Sequence, residues 1–590
     1  MISAASLAGY TWIITSTRSD VLFARALRGG KRGNTSNVND ARLYLLAGMI
    51  ATDVEGQATV MAMMRALTTQ ISRTEQLTLG VPTTEEGRRK LEARLYKIHN
   101  KITYQLNHGA WLGLEPEEVE RRDDQLQDLI ETMLSATHLD TDDTTYAMDA
   151  TGVHAWGRYK GRARLGEVDE DGDQRDHPDV EDQDQNDGQV EDEEPGDGAA
   201  PGADDDVPAK RKRRRTPTGS YDPEARPGYK TSKKGKSERF FGYHVHAVSS
   251  VCRTIHGVRQ SPLAVQTFTV TPANADVVAP SLALLDRLAA AGITVTELGV
   301  DRHYSYKAWD RWRLQLRLRG IKPIHDLRRD DHGFTHYNGL KIAAGWPHCP
   351  ATPEDLAEIP RPGFAATAEE WKQFEERIEQ RRAYALRRIN DYDHNGRTRW
   401  QCPALAGSCG CTLRPDTVTA AQAATRAAAD RGEPVLIPII TNGADHQPAD
   451  DMWKPCTSMT VSMNDGPHMK MYQQHYWGSV EWTAEWNLRT FIEGWFGVAK
   501  NPTVAGMDRH FYRGKGTAHV SIAVLFAALV TNVHLLRNWH SQTGLGPADH
   551  PLLQADGDDH GFERLDANQA ARIDRTHAIA QLAAAAREVA

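Results

Sequence analysis

The 590 residues are 40% hydrophobic and 25% charged, an ordinary globular composition with length for about three to five domains, which excludes a wholly disordered chain. Six cysteines in this length do not make a disulfide scaffold, so a reducing cytosol is expected, with metal binding as their only special use. The formal charge of −9 hides an asymmetry: residues 167–206 hold 19 Asp and Glu against one Arg, which leaves +9 for the rest of the chain and fits a nucleic-acid partner.

The chain opens without the basic segment of a secretory signal. Residues 1–140 read as a helical N-terminal domain suited to DNA binding or to packing. Its clearest runs are 39–50, with Asn39 or Asp40 as cap, then 86–104, and 115–134, which opens on Pro116, Glu117 and Glu118. From 141 the pattern changes. Residues 146–153, 240–248 and 264–270 read as strands, followed by a helix at 275–290, a strand at 293–300, a helix at 307–319 and a strand at 321–324. Strands first and then alternating helix and strand predict an α/β fold, a mixed sheet with helices on its faces. Between the first two strands, 160–238 is polar and acidic, with the basic run Lys210–Arg215 near its end, and reads as a disordered charged insertion. Residues 331–479 form an irregular, Cys-containing insertion with a helix at 368–389. The segment 480–545 returns to helix, at 480–500 and 518–538, and 546–590 is a tail. No run of about 18 uncharged apolar residues predicts a membrane span. The nearest, 520–536, contains Asn532 and His534 and reads as a buried helix.

Three acids stand out. Asp149 lies inside a strand of small and apolar residues, Asp301 directly follows a strand, and Glu493 sits among Phe491, Ile492, Trp495 and Phe496. A carboxylate in such surroundings is costly unless it is paired or holds a cation. On one continuous helix Trp486, Arg489, Glu493 and Lys500 fall at roughly 0°, 300°, 340° and 320°, one stripe about 60° wide. Leu488, Phe491, Ile492, Trp495 and Val498 take the opposite, packing side.

This segment, Trp486-x2-Arg489-x3-Glu493-x6-Lys500, resembles the Tyr-x2-Arg-x3-Glu-x6-Lys signature of bacterial DDE transposases of the cut-and-paste type, with Trp in place of the leading Tyr. Asp301-Arg-His-Tyr304-Ser is similar to the segment around that family's second acid, and Met148-Asp149-Ala-Thr-Gly to the segment around its first. The likeness covers most of 141–330 and 470–540. It implies a ribonuclease-H-like catalytic core in two parts, 141–330 and 480–545, with an insertion between the second Asp and the Glu. It further implies Asp149, Asp301 and Glu493 as catalytic residues and metal ligands. Three carboxylates favour Mg²⁺ or Mn²⁺, and two such ions would serve an in-line displacement at phosphorus. Trp486, Arg489 and Lys500 would bind DNA, the cations gripping phosphates and the Trp ring stacking on a displaced base.

Cys402-x6-Cys409-x-Cys411, with His348-Cys349 upstream and Cys456 downstream, lacks a Cys-x2-Cys pair and reads as scattered buried thiols, with a structural Zn²⁺ as the alternative. His303 reads as a positioning residue beside Asp301, and His244 and His246 share one strand face. The expected function is a DNA transposase that cuts and joins the ends of a mobile element in the cytoplasm, at the nucleoid. Its partners would be element ends and target DNA, bound as a homodimer, with no membrane. The alternatives are a ribonuclease-H-like nuclease without strand transfer and a domesticated, non-catalytic DNA-binding protein.

Overall fold

In the N-terminal third, apolar residues at helical spacing give α1 (Ala4–Thr17), α2 (Ser19–Ala26), α3 (Val38–Glu55), α4 (Val60–Thr69), α5 (Glu85–Lys101) and α6 (Pro116–Ser135). Helix α3 is capped two residues earlier than Asn39: Asn37 accepts from the Asn39 amide. Helix α6 starts on Pro116 with Glu117 and Glu118 in its first turn, where missing or orphaned amides and the helix dipole favour them. The computed structural model describes residues 2–28, 37–139, 141–157, 221–231, 237–328, 331–363, 365–432, 437–441, 455–508 and 510–554. The acidic tract 167–206, the basic run Lys210–Arg215 and the tail beyond 554 lie outside the described residues. Residues 1–156 and 224–590 form one compact unit and 157–223 a second; the fold and site described next belong to the first.

Six strands make the central sheet: β1 (Thr145–His154), β2 (Arg226–Thr231), β3 (Ser237–Ser250), β4 (Val265–Pro272), β5 (Glu297–Val300) and β6 (Lys322–Ile324). The long β3 runs antiparallel to β1, Tyr146 facing Ser250 and His154 facing Gly242. Its other edge takes β2 along its first half and β4 along its second, both antiparallel. On the far side of β1 come β5 and then β6, each parallel to its neighbour. The result is a mixed sheet, antiparallel on one side of β1 and parallel on the other.

Alternation along the strands splits the core into two layers. Ala147, Val153, Val245, Ala247 and Phe268 face a large core shared with α1–α6 and with the two late helices α9 (Thr490–Lys500) and α10 (Thr517–Thr543). Met148, Val248, Leu298 and Val300 face the opposite layer, built from α7 (Val278–Ala290) with Trp312 and Leu316. The N-terminal helices thus pack as part of the same body as the sheet. Helices α3 and α10 approach closely because position 48 is glycine: a Cβ there would stand 2.2 Å from the Phe526 ring. Among the described residues α10 alone is long and apolar enough to cross a membrane, and 89% of its most apolar stretch is buried inside the protein.

Three sequence expectations are corrected. Part of the supposedly disordered 160–238 is strand: β2 pairs residue by residue with β3, Arg226 facing Gly242 and Tyr229 facing Arg239. Few apolar residues mark it, but Gly228 fits so tightly against Ala273 and Phe240 that a Cβ would meet the Ala273 Cβ at 2.6 Å. The helix expected at 307–319 shrinks to Arg313–Leu318, because the chain before it turns to let the Trp309 indole donate to Asp465 at 3.2 Å, a tertiary contact overriding local propensity. The helix at 368–389 stops at Arg382, and Arg387–Arg388 pairs instead as strand with Arg397–Gln401.

Candidate active site

Strand register brings the first two acids together. In the parallel pair β1–β5 the last partners are Met148 and Val300, so Asp149 and Asp301 are the next positions along two neighbouring strands, at the carboxyl end of β5. Asp149 shares the strand face of Ala147 and Thr151, the face turned to α9. Its Oδ1 accepts from the Ala150 amide at 2.7 Å. Asp301 caps the short turn of helix Arg302–Ser305, its Oδ1 accepting from the Arg302 amide at 2.7 Å.

Glu493 arrives on α9, which is not one continuous helix with the segment before it. The chain forms α8 (Val480–Asn487), turns through Leu488 and Arg489, and resumes as α9. At this corner the Arg489 and Ile492 amides bond back three residues, to Trp486 and Arg489, rather than four. The corner rests on β5 at Gly299, where a Cβ would stand 3.4 Å from the Arg489 Cβ. Leu488, Ile492 and Trp495 are buried, as the packing face requires. The Trp495 indole donates to Asn532 Oδ1 at 2.9 Å. Asn532 also accepts from the Val265 amide at 3.0 Å and donates to Val265 O at 3.0 Å and Thr137 Oγ1 at 2.8 Å. One fully buried amide, its bonding capacity spent, therefore fixes α9 and α10 on β4. With the packing side fastened, Glu493 stands out at 48% side-chain exposure.

Arg489 joins the carboxylates. Its Nη1 lies 2.7 Å from Glu493 Oε1 and 3.9 Å from Asp149 Oδ2. Burial pushes the Asp149 carboxyl up to about 7; the Ala150 amide and Arg489 oppose the rise, while the charges of Asp301 and Glu493 add to it. That mutual influence ties all three acids to one locality. Lys500, at the end of α9, donates to Thr151 Oγ1 on β1, two residues from Asp149. Among the described residues no three acidic, histidine or cysteine side chains stand close enough together to hold a metal ion as they are placed. The Arg489 guanidinium reaches both Glu493 and Asp149. The donor chemistry still suits a cation: the candidate ligands are all oxygen, and one of them, Asp149, is pushed up chiefly by burial, a cost that a bound cation would offset.

No protein-family model, curated protein or solved structure matches the chain.

Of the residues singled out in the sequence, Asp149, Asp301, Arg489 and Glu493 come together, with Lys500 beside them through Thr151. Trp486 does not join them on an open face. It is 8% exposed, stacks on Trp482 with centroids 5.7 Å apart and planes 10° apart, and belongs to the aromatic cluster of Tyr476, Trp477 and Trp482. The turn at Leu488–Arg489 rotates Trp486 away from the stripe that a straight helix would have given. Its link to the site is the Arg489 guanidinium, 4.7 Å from its ring centre. His246 is fully buried, with Nε2 2.9 Å from Thr271 Oγ1, and serves packing. Sequence reading missed Glu485, whose carboxylate takes two hydrogen bonds from Arg253. Its signal was the same one that marked Glu493, an acid between Ala484 and Trp486. The cysteines are not scattered: Cys252 lies in the main core, while Cys349, Cys402, Cys409 and Cys411 share a small cluster of their own.

Proposed function

We propose that this chain is a DNA transposase of the DDE type, cutting and joining DNA strands by phosphoryl transfer at Asp149, Asp301 and Glu493. The observation that carries the reading is the adjacency of Asp149 and Asp301 on parallel neighbouring strands, with Glu493 brought to the same point by a helix packed across them. The strand arrangement, β4, β3 and β1 antiparallel and continued by β5 and β6 parallel to β1, with β2 added on the β3 edge, supports the ribonuclease-H-like core that the sequence resemblance implies.

In this reading the three carboxylates would hold Mg²⁺ or Mn²⁺, which when bound activates the attacking water or 3′-hydroxyl and stabilises the leaving oxygen. Arg489 keeps an unspent donor, since its Nε is buried without a hydrogen-bond partner, and its planar fork suits a phosphate. Lys500 adds a point charge at Thr151, two residues along the strand from Asp149. The positive balance outside 167–206 favours a DNA partner. Element ends and target DNA would be the partners, bound by a homodimer at the nucleoid.

The test incubates the full chain with Mg²⁺ and a duplex carrying the repeats that flank its gene. Asp149→Asn, Asp301→Asn and Glu493→Gln are each expected to abolish strand cleavage while DNA binding stays within about twofold. Joining of cut ends into a target plasmid separates a transposase from a nuclease. Near-normal cleavage by any of the three variants removes that residue from the site.

A further inference from the structure

Independently of the carboxylates, four thiols line one small cavity in the insertion 331–479. Cys349 follows the strand Trp346–His348, Cys402 follows the strand Arg397–Gln401, Cys411 closes the short strand Gly410–Cys411, and Cys456 precedes the strand Thr460–Asn464. Four separate segments thus bring one cysteine each to a single cavity of about 10 Å³, closed by Pro403, Leu413 and Ile440. A space of this size holds one water-sized particle and no organic ligand.

Three further features favour an ion there. The Cys349 and Cys456 thiols are hydrogen-bonded to each other. The amides of Ala351 and Leu413, each two residues after a cysteine, point at the Cys349 and Cys411 sulfurs, donors that would stay bonded to metal-bound sulfur. Arg414 fastens the fourth segment, donating to the carbonyls of Cys456 at 2.9 Å and Ser458 at 2.8 Å. Against this, the region has little apolar material to hold it: its buried cluster is Cys349, Ala404, Cys409, Cys411 and Ile440. The strand pair beside it, Gly410–Cys411 with Ile439–Ile440, is two residues long. So small a core is ordinarily completed by a metal or a cross-link.

We propose that Cys349, Cys402, Cys411 and Cys456 form a tetrahedral, four-thiolate structural zinc site that ties the insertion 331–479 together. As placed, the sulfurs ring the cavity without closing to ligand distance, and zinc would draw them to about 2.3 Å from a common centre. Each thiol gives up its proton on binding, so one Zn²⁺ replaces four H⁺ and no oxidant is involved. Cys409 is buried beside the site but does not line the cavity, which makes it an internal control. The absence of a Cys-x2-Cys pair follows from the ligands lying on four separate segments.

The experiment measures zinc in the purified full chain by elemental analysis and by release to a colorimetric chelator on mercurial titration. About one zinc per chain is expected. Cys402→Ser and Cys456→Ser should each lower it at least about tenfold, while Cys409→Ser keeps it. Alkylation of the folded wild-type chain, read by peptide mass spectrometry, covers the case in which a variant does not fold. Cys349, Cys402, Cys411 and Cys456 should become reactive together only after chelation. A wild-type chain refolded with zinc that binds none, a Cys349–Cys456 disulfide in the freshly reduced and purified protein, or zinc lost equally in Cys409→Ser would each overturn the proposal.

Discussion

Arg253 grips Glu485 with both ends of its fork, Nη1 to Oε1 at 2.9 Å and Nη2 to Oε2 at 2.8 Å. The same guanidinium reaches Asp143 at 2.8 Å and Thr145 Oγ1 at 2.9 Å, at the very start of β1. Helix α8, which ends at the corner carrying Arg489, is thereby tied to the strand that carries Asp149. The Glu485 side chain is 6% exposed, so losing its partner leaves a charge that water barely reaches.

From this tie follows the first prediction. Glu485→Ala should lower stability by roughly 1–3 kcal/mol, a range that allows for the part-exposed Arg253. Arg253→Ala should cost a similar amount, and the double variant less than the two together. Urea unfolding of the four proteins checks it. Additive losses would mean that the pair does not position the helix.

Asp149 gives a pH dependence of definite sign. Its carboxyl titrates at about 7 when folded, against an ordinary value near 3.8. A raised carboxylate makes the folded state the better proton binder, so stability falls as pH climbs from about 4 to about 7 and levels off above. Asp149→Asn removes the penalty. It should unfold at higher urea than wild type at pH 8, by up to roughly 4 kcal/mol, with no difference at pH 4. Mg²⁺ should stabilise the wild type at pH 8 and leave Asp149→Asn unchanged. Equal stabilities at pH 8 would show that the carboxyl is not desolvated.

For Trp486 the structure moves the expectation from DNA to packing. Trp486→Ala empties a place in the aromatic cluster and should cost about 3–5 kcal/mol. Trp486→Tyr, which restores the residue of the similar transposase signature, should cost less and keep cleavage. A Trp486→Ala protein of near wild-type stability, blocked after the first nick, would return the ring to the DNA.

The sheet and its helices were legible because their signals are local. Strand 146–153 and helix 518–538 differ from the observed Thr145–His154 and Thr517–Thr543 by a few residues at most. Of the three acids read as costly carboxylates in apolar surroundings, Asp149 is buried so, while Glu493 stands out at 48% side-chain exposure. What escaped was whatever depends on distant partners. Strand β2 exists because β3 lies beside it, and the corner at Leu488–Arg489 exists because Gly299 gives it a seat. The straight-helix arithmetic could see neither, and so put Trp486 on the wrong side. Which four of the cysteines share a cavity was hidden for the same reason, since Cys349, Cys402, Cys411 and Cys456 come from separate segments.

Arg489 carries the last prediction. It is 14% exposed, 2.7 Å from Glu493 and 3.9 Å from Asp149, and it opposes the rise of the Asp149 carboxyl. Arg489→Ala should therefore push that carboxyl above its present value of about 7, shifting the pH dependence of stability upward. If Arg489 grips a phosphate as proposed, the same change should make the salt dependence of DNA binding shallower by about one unit of slope. Arg489→Lys keeps the charge but not the fork, and it should restore the Asp149 titration while recovering cleavage only in part. Carboxyl titration by NMR and binding across a salt series separate the two roles. A variant that shifts the titration but leaves the salt slope unchanged would make Arg489 a positioning residue for the acids and not a DNA contact.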